Sequence, residues 1–228
     1  MHTLVLVSAT TEWTAVKETL QPKTLSDTPY GESFDLTLGN YPVTLLHTGW
    51  GKTASAGAMQ YALNTLNPDI TINLGTCGGI KESTSIGETI LVERTLIYDV
   101  LDLMGATSTA IEHYASTLNL NLLPQPYPHP VRRGTLASAD SDLLPKKIPF
   151  IKSLGAIAAD WESGALAWVA NKNRARLLIL RTVSDLVSEQ GGEAYGNIQL
   201  YQERTQEIMQ RLLAQLPDWL AAIEPQIR

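Results

Sequence analysis

The sequence predicts an α/β protein in which a mixed sheet carries helices on both faces. Three observations predict it. Short, continuous runs of β-branched and leucine residues recur along the chain at Thr3–Ser8, Asp69–Leu74 and Arg176–Val183, and runs of this length and composition read as buried strands. Helical stretches rich in small or amphipathic residues separate them, so strands and helices alternate within one chain. The length is 228 residues, with 44% hydrophobic and 18% charged residues, an ordinary globular composition for which one core spanning 1–228 is expected.

Each element follows from its local signals. After the first strand, Thr10 or Thr11 is placed to cap a helix through Leu20, with Glu12 in its first turn. Ser33–Leu38 and Val43–His47 flank Gly39-Asn40 and read as a hairpin. Gly49-Trp50-Gly51-Lys52 breaks that strand, and a small-residue helix follows from Thr53 to near Asn67-Pro68. Asp69–Leu74 is a strand that Gly75-Thr76-Cys77-Gly78-Gly79 is expected to end. Gly87–Val100 is β-branched and strand-like, and Ala106–Leu118 is expected to be helical. Asn119–Arg133 holds four prolines and has no regular pattern, which suits a lid or a subunit contact. Strands follow at Arg132–Ala137, Ala156–Asp160 and Arg176–Val183, with a helix at Ser163–Lys172 and a long one from Ile198 to Leu213 or beyond Pro217.

Composition excludes several partners. A formal net charge of -6 and a pI near 5.2 argue against a nucleic-acid surface and an anionic membrane. The single cysteine, Cys77, cannot form an intrachain disulfide, which fits a reducing compartment. Met1–Ser8 is too short and lacks the basic start of a signal peptide, and no apolar run reaches membrane-spanning length. A cytoplasmic protein is expected.

The chemistry is concentrated in carboxylates. Asp160 and Glu162 close an apolar run beside Ser163-Gly164, and Asp185 follows Leu177–Ser184. Strand carboxyl ends are where α/β sheets bind ligands. Glu12, Glu162 and Asp185 each have a bland reading as a helix-start acid stabilised by the helix dipole. Together they fall at three predicted strand-to-helix junctions and meet at one sheet edge if those strands are neighbours. Other motifs carry less. Gly51-Lys52-Thr53 lacks the earlier glycine of a P-loop, because position 46 is Leu. The Gly75–Gly79 run has the wrong spacing for a dinucleotide fingerprint and reads equally as a turn or as backbone approaching a ligand. Cys77 and His47 have nothing to orient them as nucleophile and base, and no cluster has metal-ligand spacing. No metal or cofactor is expected.

Five segments in order resemble the nucleoside phosphorylase/nucleosidase family: Ser8-Ala-Thr-Thr-Glu12, Thr48-Gly-Trp-Gly-Lys52, Ile72-Asn-Leu-Gly-Thr-Cys-Gly-Gly79, Asp160-Trp-Glu162 and Arg181-Thr-Val-Ser-Asp185. The branch they most resemble is methylthioadenosine/S-adenosylhomocysteine nucleosidase. The resemblance implies a three-layer α/β/α sandwich around a twisted mixed sheet, a homodimer and a purine nucleoside substrate. It also implies roles. Glu162 holds the ribose hydroxyls, Asp185 protonates purine N7 with support from Ser184, and Glu12 orients or activates the attacking water. Thr76, Cys77, Gly78, Ser138 and Trp161 fall among the substrate-binding positions.

The reaction independently calls for these residue types. Breaking an N-ribosyl bond builds positive charge on the sugar, which nearby carboxylates stabilise. A purine leaves poorly unless protonated, and an Asp can supply that proton near neutral pH only if burial raises its pKa. The resemblance also separates hydrolase from phosphorylase. Phosphorylases of the family have arginines where this chain has Thr11-Glu12-Trp13 and Asn73. Glu12 is expected to repel an anion with no local cation to offset it, Lys52 being expected to face solvent. Two departures bear on the substrate: Asp142 stands where the family's nucleosidases have Phe, and Trp161 where they often have Met. Alternatives are a futalosine-type nucleosidase, a purine nucleoside phosphorylase, or a family member that binds a nucleoside without turnover.

Overall fold

The computed structural model describes residues 1–188 and 190–227. Its strands are β1 (Thr3–Val7), β2 (Ser26–Asp27), β3 (Glu32–Leu38), β4 (Tyr41–His47), β5 (Ile70–Ile80), β6 (Thr89–Ile97), β7 (Ser116–Thr117), β8 (Arg132–Ser138), β9 (Ala156–Asp160), β10 (Leu177–Ser188) and β11 (Gly191–Gly192). Its helices are α1 (Thr10–Leu20), α2 (Gly51–Leu66), α3 (Thr107–Tyr114), α4 (Ile148–Ser153), α5 (Ser163–Asn173) and α6 (Ile198–Ile227).

All the described strands join one mixed sheet. β1 pairs in parallel with β4 and β5, and the β3–β4 hairpin turns in two residues, with Leu38 opposite Tyr41. Gly39 takes φ +58° there, as such a tight turn requires. Beyond β5 the sheet curls back on itself. β5 pairs with β10, β10 with β6, β6 with β8, β8 with β9, and β9 again with β5. Five strands thus close a ring, and β1, β4, β3 and β2 extend from it as an open wing.

The three layers follow from alternation along β1. Val5 and Val7 face a core completed by Trp13 and Val16 of α1 and Leu212, Leu216 and Trp219 of α6. Leu4 and Leu6 face the opposite core, with Met59 and Ala62 of α2 and Leu166 and Ala170 of α5. A strand buried on both faces reads as a near-continuous apolar run, and β1 does from Leu4 to Val7. α6 runs through Pro217 and Pro225. Its buried stripe of Ile208, Leu212, Leu216, Leu220 and Ile223 repeats every three or four residues, so packing holds the helix across residues that would otherwise break it.

Several boundaries differ from expectation. The Gly75–Gly79 run does not end a strand: β5 continues to Ile80 because β10 stays in register beside it, as far as Val187 opposite Ile80. β10 likewise runs past Val183 to Ser188 with an irregularity between Val183 and Asp185. Asp185 therefore sits inside a strand at a bulge, not at a strand-to-helix junction. The expected helix through Leu118 stops at Tyr114, and Ser116–Thr117 pairs with β6 instead. The proline-rich segment is seated on the chain's own C-terminal helix. Leu122 and Leu123 are buried in the α6 core, and His129 bonds Asp218 at 2.9 Å. It therefore gives no independent reason to expect a partner at that place. No helix among the described residues is long and apolar enough to cross a membrane.

Candidate active site

The site arises where β5 changes neighbours. One edge of β5 is paired with β1 as far as Leu6 opposite Asn73, and β9 takes that edge only from Gly78 opposite Ala159. In between, Thr76 turns both backbone groups into a gap. Its N–H donates to Glu12 Oε1 at 2.6 Å and its carbonyl accepts from Arg181 Nη1 at 3.3 Å. A divergence of strands of this kind is where α/β sheets form ligand crevices.

Glu12 reaches the gap from the first turn of α1. The N-cap residue is Ala9, not Thr10 or Thr11, and Glu12 Oε2 accepts from the Ala9 N–H at 3.1 Å. Its Oε1 also accepts from Thr76 Oγ1 at 2.9 Å. Arg181 enters from β10, only 1% exposed. Its guanidinium is 3.1 Å from Asp160 Oδ2, 3.5 Å from Glu162 Oε2 and 3.6 Å from Glu12 Oε1. Gly75 makes room for this convergence, since a Cβ there would collide with the guanidinium and stand 2.7 Å from Glu12 Oε1. Burial opposes the charge on Arg181, but Asp160, Glu12 and Glu162 together hold it firmly protonated. The expectation that no local cation offsets Glu12 is thereby corrected.

Glu162 precedes α5, and its Oε1 accepts from the Gly51 N–H at 3.1 Å. Burial lifts its pKa to about 8, with Asp160 and Glu12 adding to the rise and Arg181 and the Gly51 bond opposing it. The cluster sets one guanidinium against three carboxyl groups, of which burial pushes Glu162 toward its neutral form.

Asp185 lines the same cavity from the β10 bulge. Its Oδ1 accepts from Ser184 Oγ at 3.1 Å, while Oδ2 is buried with no partner. Burial raises its pKa against the Ser184 bond and Arg204, which favours the protonated acid. Ser184 Oγ also lies 3.3 Å from the Cys77 carbonyl, tying the bulge to β5.

The cavity holds about 520 Å³ and is lined by Glu12, Thr76, Cys77, Gly78, Trp161, Glu162, Ser184 and Asp185, as expected from the sequence. Ser138 is different. It is fully buried outside the cavity, donating to Asp160 Oδ1 at 2.5 Å and accepting from the Gly164 N–H at 2.8 Å. It holds Asp160 and is removed from direct substrate contact. Burial pushes the Cys77 thiol well up, which suits a packing residue and not a thiolate nucleophile. Among the described residues no His, Cys, Asp or Glu side chains are grouped to hold a metal ion. Lys52 does not face solvent; it pairs with Asp99 and, at 3.1 Å, with Asp140. Asp142, Tyr195, Tyr201 and Trp50 line the cavity without having been singled out as binding residues. Sequence reasoning also gave no role to Arg181, although a lone arginine inside Leu177–Val183 signals buried anions nearby.

Known proteins are similar to this chain. A model of the Phosphorylase superfamily matches residues 3–215. A 5′-methylthioadenosine/S-adenosylhomocysteine nucleosidase of Buchnera aphidicola is 28% identical over 163 residues, 64% of this chain and 68% of that protein. A 5′-methylthioadenosine nucleosidase of Arabidopsis thaliana is 30% identical over 59% of this chain and 51% of its own. Among solved structures, the nucleosidase of S. pneumoniae with the transition-state inhibitor MT-ImmA superposes with a TM-score of 0.76 at 20% identity, covering 97% of this chain and 99% of the other. The futalosine hydrolase of Helicobacter pylori gives 0.77 at 14% identity, covering 97% of each. These structural likenesses establish the three-layer fold.

The Glu162 environment predicts a pH signature. Its folded pKa of about 8 lies above the ordinary 4.5. The neutral acid is favoured by folding, so the stability linked to it is complete below pH 4.5 and is lost as pH rises to about 8. Glu162→Gln, which resembles the neutral acid, is expected to lose less stability than wild type between pH 5 and 8. Urea-unfolding midpoints across that range check this, and parallel curves for the two proteins would contradict it.

Proposed function

We propose that this chain, which belongs to the Phosphorylase superfamily, is a purine nucleoside N-ribosylhydrolase. Its substrate is a 5′-substituted nucleoside such as methylthioadenosine or S-adenosylhomocysteine, from which it releases adenine or a related purine. The observation that carries the reading is the placement of the buried Asp185, whose Oδ2 has no partner among the described residues, and the Glu12–Arg181–Glu162 cluster around one cavity.

In this reading Asp185 gives its proton to purine N7 as the C1′–N9 bond breaks and the bonding electron pair passes to the purine. The positive charge that develops on the sugar faces the net-negative carboxylate cluster, which stabilises it more than the neutral ground state. Glu162 accepts from the ribose hydroxyls. Water adds to C1′ and loses its proton to Glu12, whose position is held by Thr76, the Ala9 N–H and Arg181. The products are the free base and the 5′-substituted ribose, and solvent returns the proton from Glu12 to Asp185.

Water is favoured over phosphate by charge. Arg181 is the cation at the cluster, and three carboxylates already surround it, so a dianion gains no free guanidinium. Asn73 is committed to structure, donating to the Leu6 carbonyl at 3.0 Å. The departure at Asp142 supports a second reading, a futalosine-type 6-oxopurine nucleoside, because a carboxylate lines the cavity where relatives of the adenine-releasing branch are expected to have an aromatic ring.

Purine release from methylthioadenosine, adenosylhomocysteine, adenosine, inosine and futalosine, each with and without phosphate, tests the function. Phosphate-independent release of adenine is expected. Ribose 1-phosphates as main products would replace the hydrolase with a phosphorylase, and no release from any of them would leave a binding protein. Asp185→Asn is expected to lower turnover by about 10²–10⁴-fold, the span of general acid catalysis, with its thermal melt retained. A folded variant with near-wild-type turnover would remove Asp185 from that role. A homodimer belongs to the same proposal, supported by the exposed apolar Leu101, Leu103 and Met104. Light scattering is expected to give twice the 24.9 kDa chain mass, and a fully active monomer would refute it.

A further inference from the structure

Beside the cavity stands a second polar cluster that the reaction above does not use. α2 begins at Gly51, and the preceding Trp50 makes no side-chain cap; its indole N–H donates instead to Thr10 Oγ1 at 3.0 Å. The first N–H groups of a helix have no partner within it. Here two consecutive ones find carboxylates far away in the chain. Gly51 N–H donates to Glu162 Oε1 at 3.1 Å, and Lys52 N–H donates to Asp140 Oδ1 at 2.7 Å. Asp140 is itself anchored: its Oδ2 lies 3.1 Å from Lys52 Nζ, and its N–H donates to Asp99 Oδ2 at 3.0 Å. Lys52 Nζ also pairs with Asp99.

We propose that Asp140 is a positioning residue for Glu162: by capping α2 from the loop after β8, it fixes the Gly51 N–H against which the Glu162 carboxyl is oriented. The inference rests on the reading of Glu162 as the ribose-holding acid. The physical reason is the softness of glycine. Gly51 sits at φ +76° with Asp140 Oδ1 only 2.6 Å from where a Cβ would stand, and glycine has little conformational preference of its own. Without an anchor on the next N–H, nothing in the local sequence holds the Gly51 N–H toward Glu162. Asp140 touches none of the reacting groups, so it acts through α2.

The sign of one titration separates this from a simple field effect. Glu162 is faced by Arg181 from β10, Asp160 from β9, Glu12 from α1 and the Gly51 N–H from α2. Deleting the negative charge of Asp140 lowers the Glu162 pKa through the field. Releasing the Gly51 N–H raises it, because that bond stabilises the carboxylate. The Glu162 carboxyl is followed by ¹³C NMR from pH 6 to 10, with Glu162→Gln giving the assignment. Asp140→Ala, and Asp140→Glu with its charge kept but its reach wrong, are expected to raise the Glu162 pKa above about 8. Asp140→Asn keeps an acceptor for Lys52 N–H and is expected to show no rise. In kinetics, Asp140→Ala is expected to raise KM for ribonucleosides roughly tenfold, the size of a lost helix cap, with a smaller change in kcat. Asp140→Asn is expected to restore KM. A Glu162 pKa that falls or stays unchanged in folded Asp140→Ala and Asp140→Glu overturns the inference. If wild type hydrolyses no nucleoside, the proposed function fails, while the titration still decides the role of Asp140.

Discussion

The burial of one guanidinium organises this molecule. Arg181 is 1% exposed, and a cation removed from water must be surrounded by anions and acceptors or it destabilises the fold. Those partners come from parts of the chain far apart in sequence: Glu12 on α1, the Thr76 carbonyl on β5, Asp160 on β9, and Glu162 and Ser163 at the start of α5. Satisfying one side chain therefore fixes where three strands and two helices meet. The residues around it serve the same end. Gly75 has no side chain because the guanidinium occupies that space, and Ser138 and Ser163 both donate to Asp160 so that its carboxylate holds its place.

The cluster that the fold requires is also one that suits a cationic transition state. Three acids surround one cation, and desolvation raises the pKa of Glu162, favouring its neutral form. In the proposed reading, this balance disfavours an anionic co-substrate and favours a sugar becoming positive. At the other side of the cavity, burial acts on Asp185 with the same sign but a different consequence. Among the described residues no cation is in hydrogen-bond contact with it and Oδ2 has no partner, and burial raises its pKa.

The two ends of the cavity differ in character. Trp161 and the largely exposed Trp50 line it beside Glu162 and Gly51 in the chain, while Tyr195 and Asp142 line it near Asp185. Aromatic rings on one side and a carboxylate on the other alter what fits around an otherwise intact set of acids. In the proposed reading, that contrast bears on which substrate fits.

Much was legible in the sequence because it is local. The alternation of apolar runs with helical stretches is a property of neighbouring residues, and it matches the observed α/β order. Glu12, Glu162 and Asp185 were recognisable as acids placed after apolar runs within five ordered motifs. What escaped depends on pairings across long sequence separations. Gly75–Gly79 looks like a strand terminator by itself, yet β10 and β9 lie beside it and extend β5 to Ile80. Asp185 looks like the end of a strand, yet that same pairing carries β10 on to Ser188. Lys52 reads as a solvated helix start until Asp99 and Asp140 arrive from two other loops, and Ser138 reads as a ligand contact until Asp160 claims its hydroxyl. Local pattern and chemistry determined which residues are the candidates for function. Only the tertiary structure decided which of them touch the cavity and which hold the others, because a buried charge finds its partners in space and not along the chain.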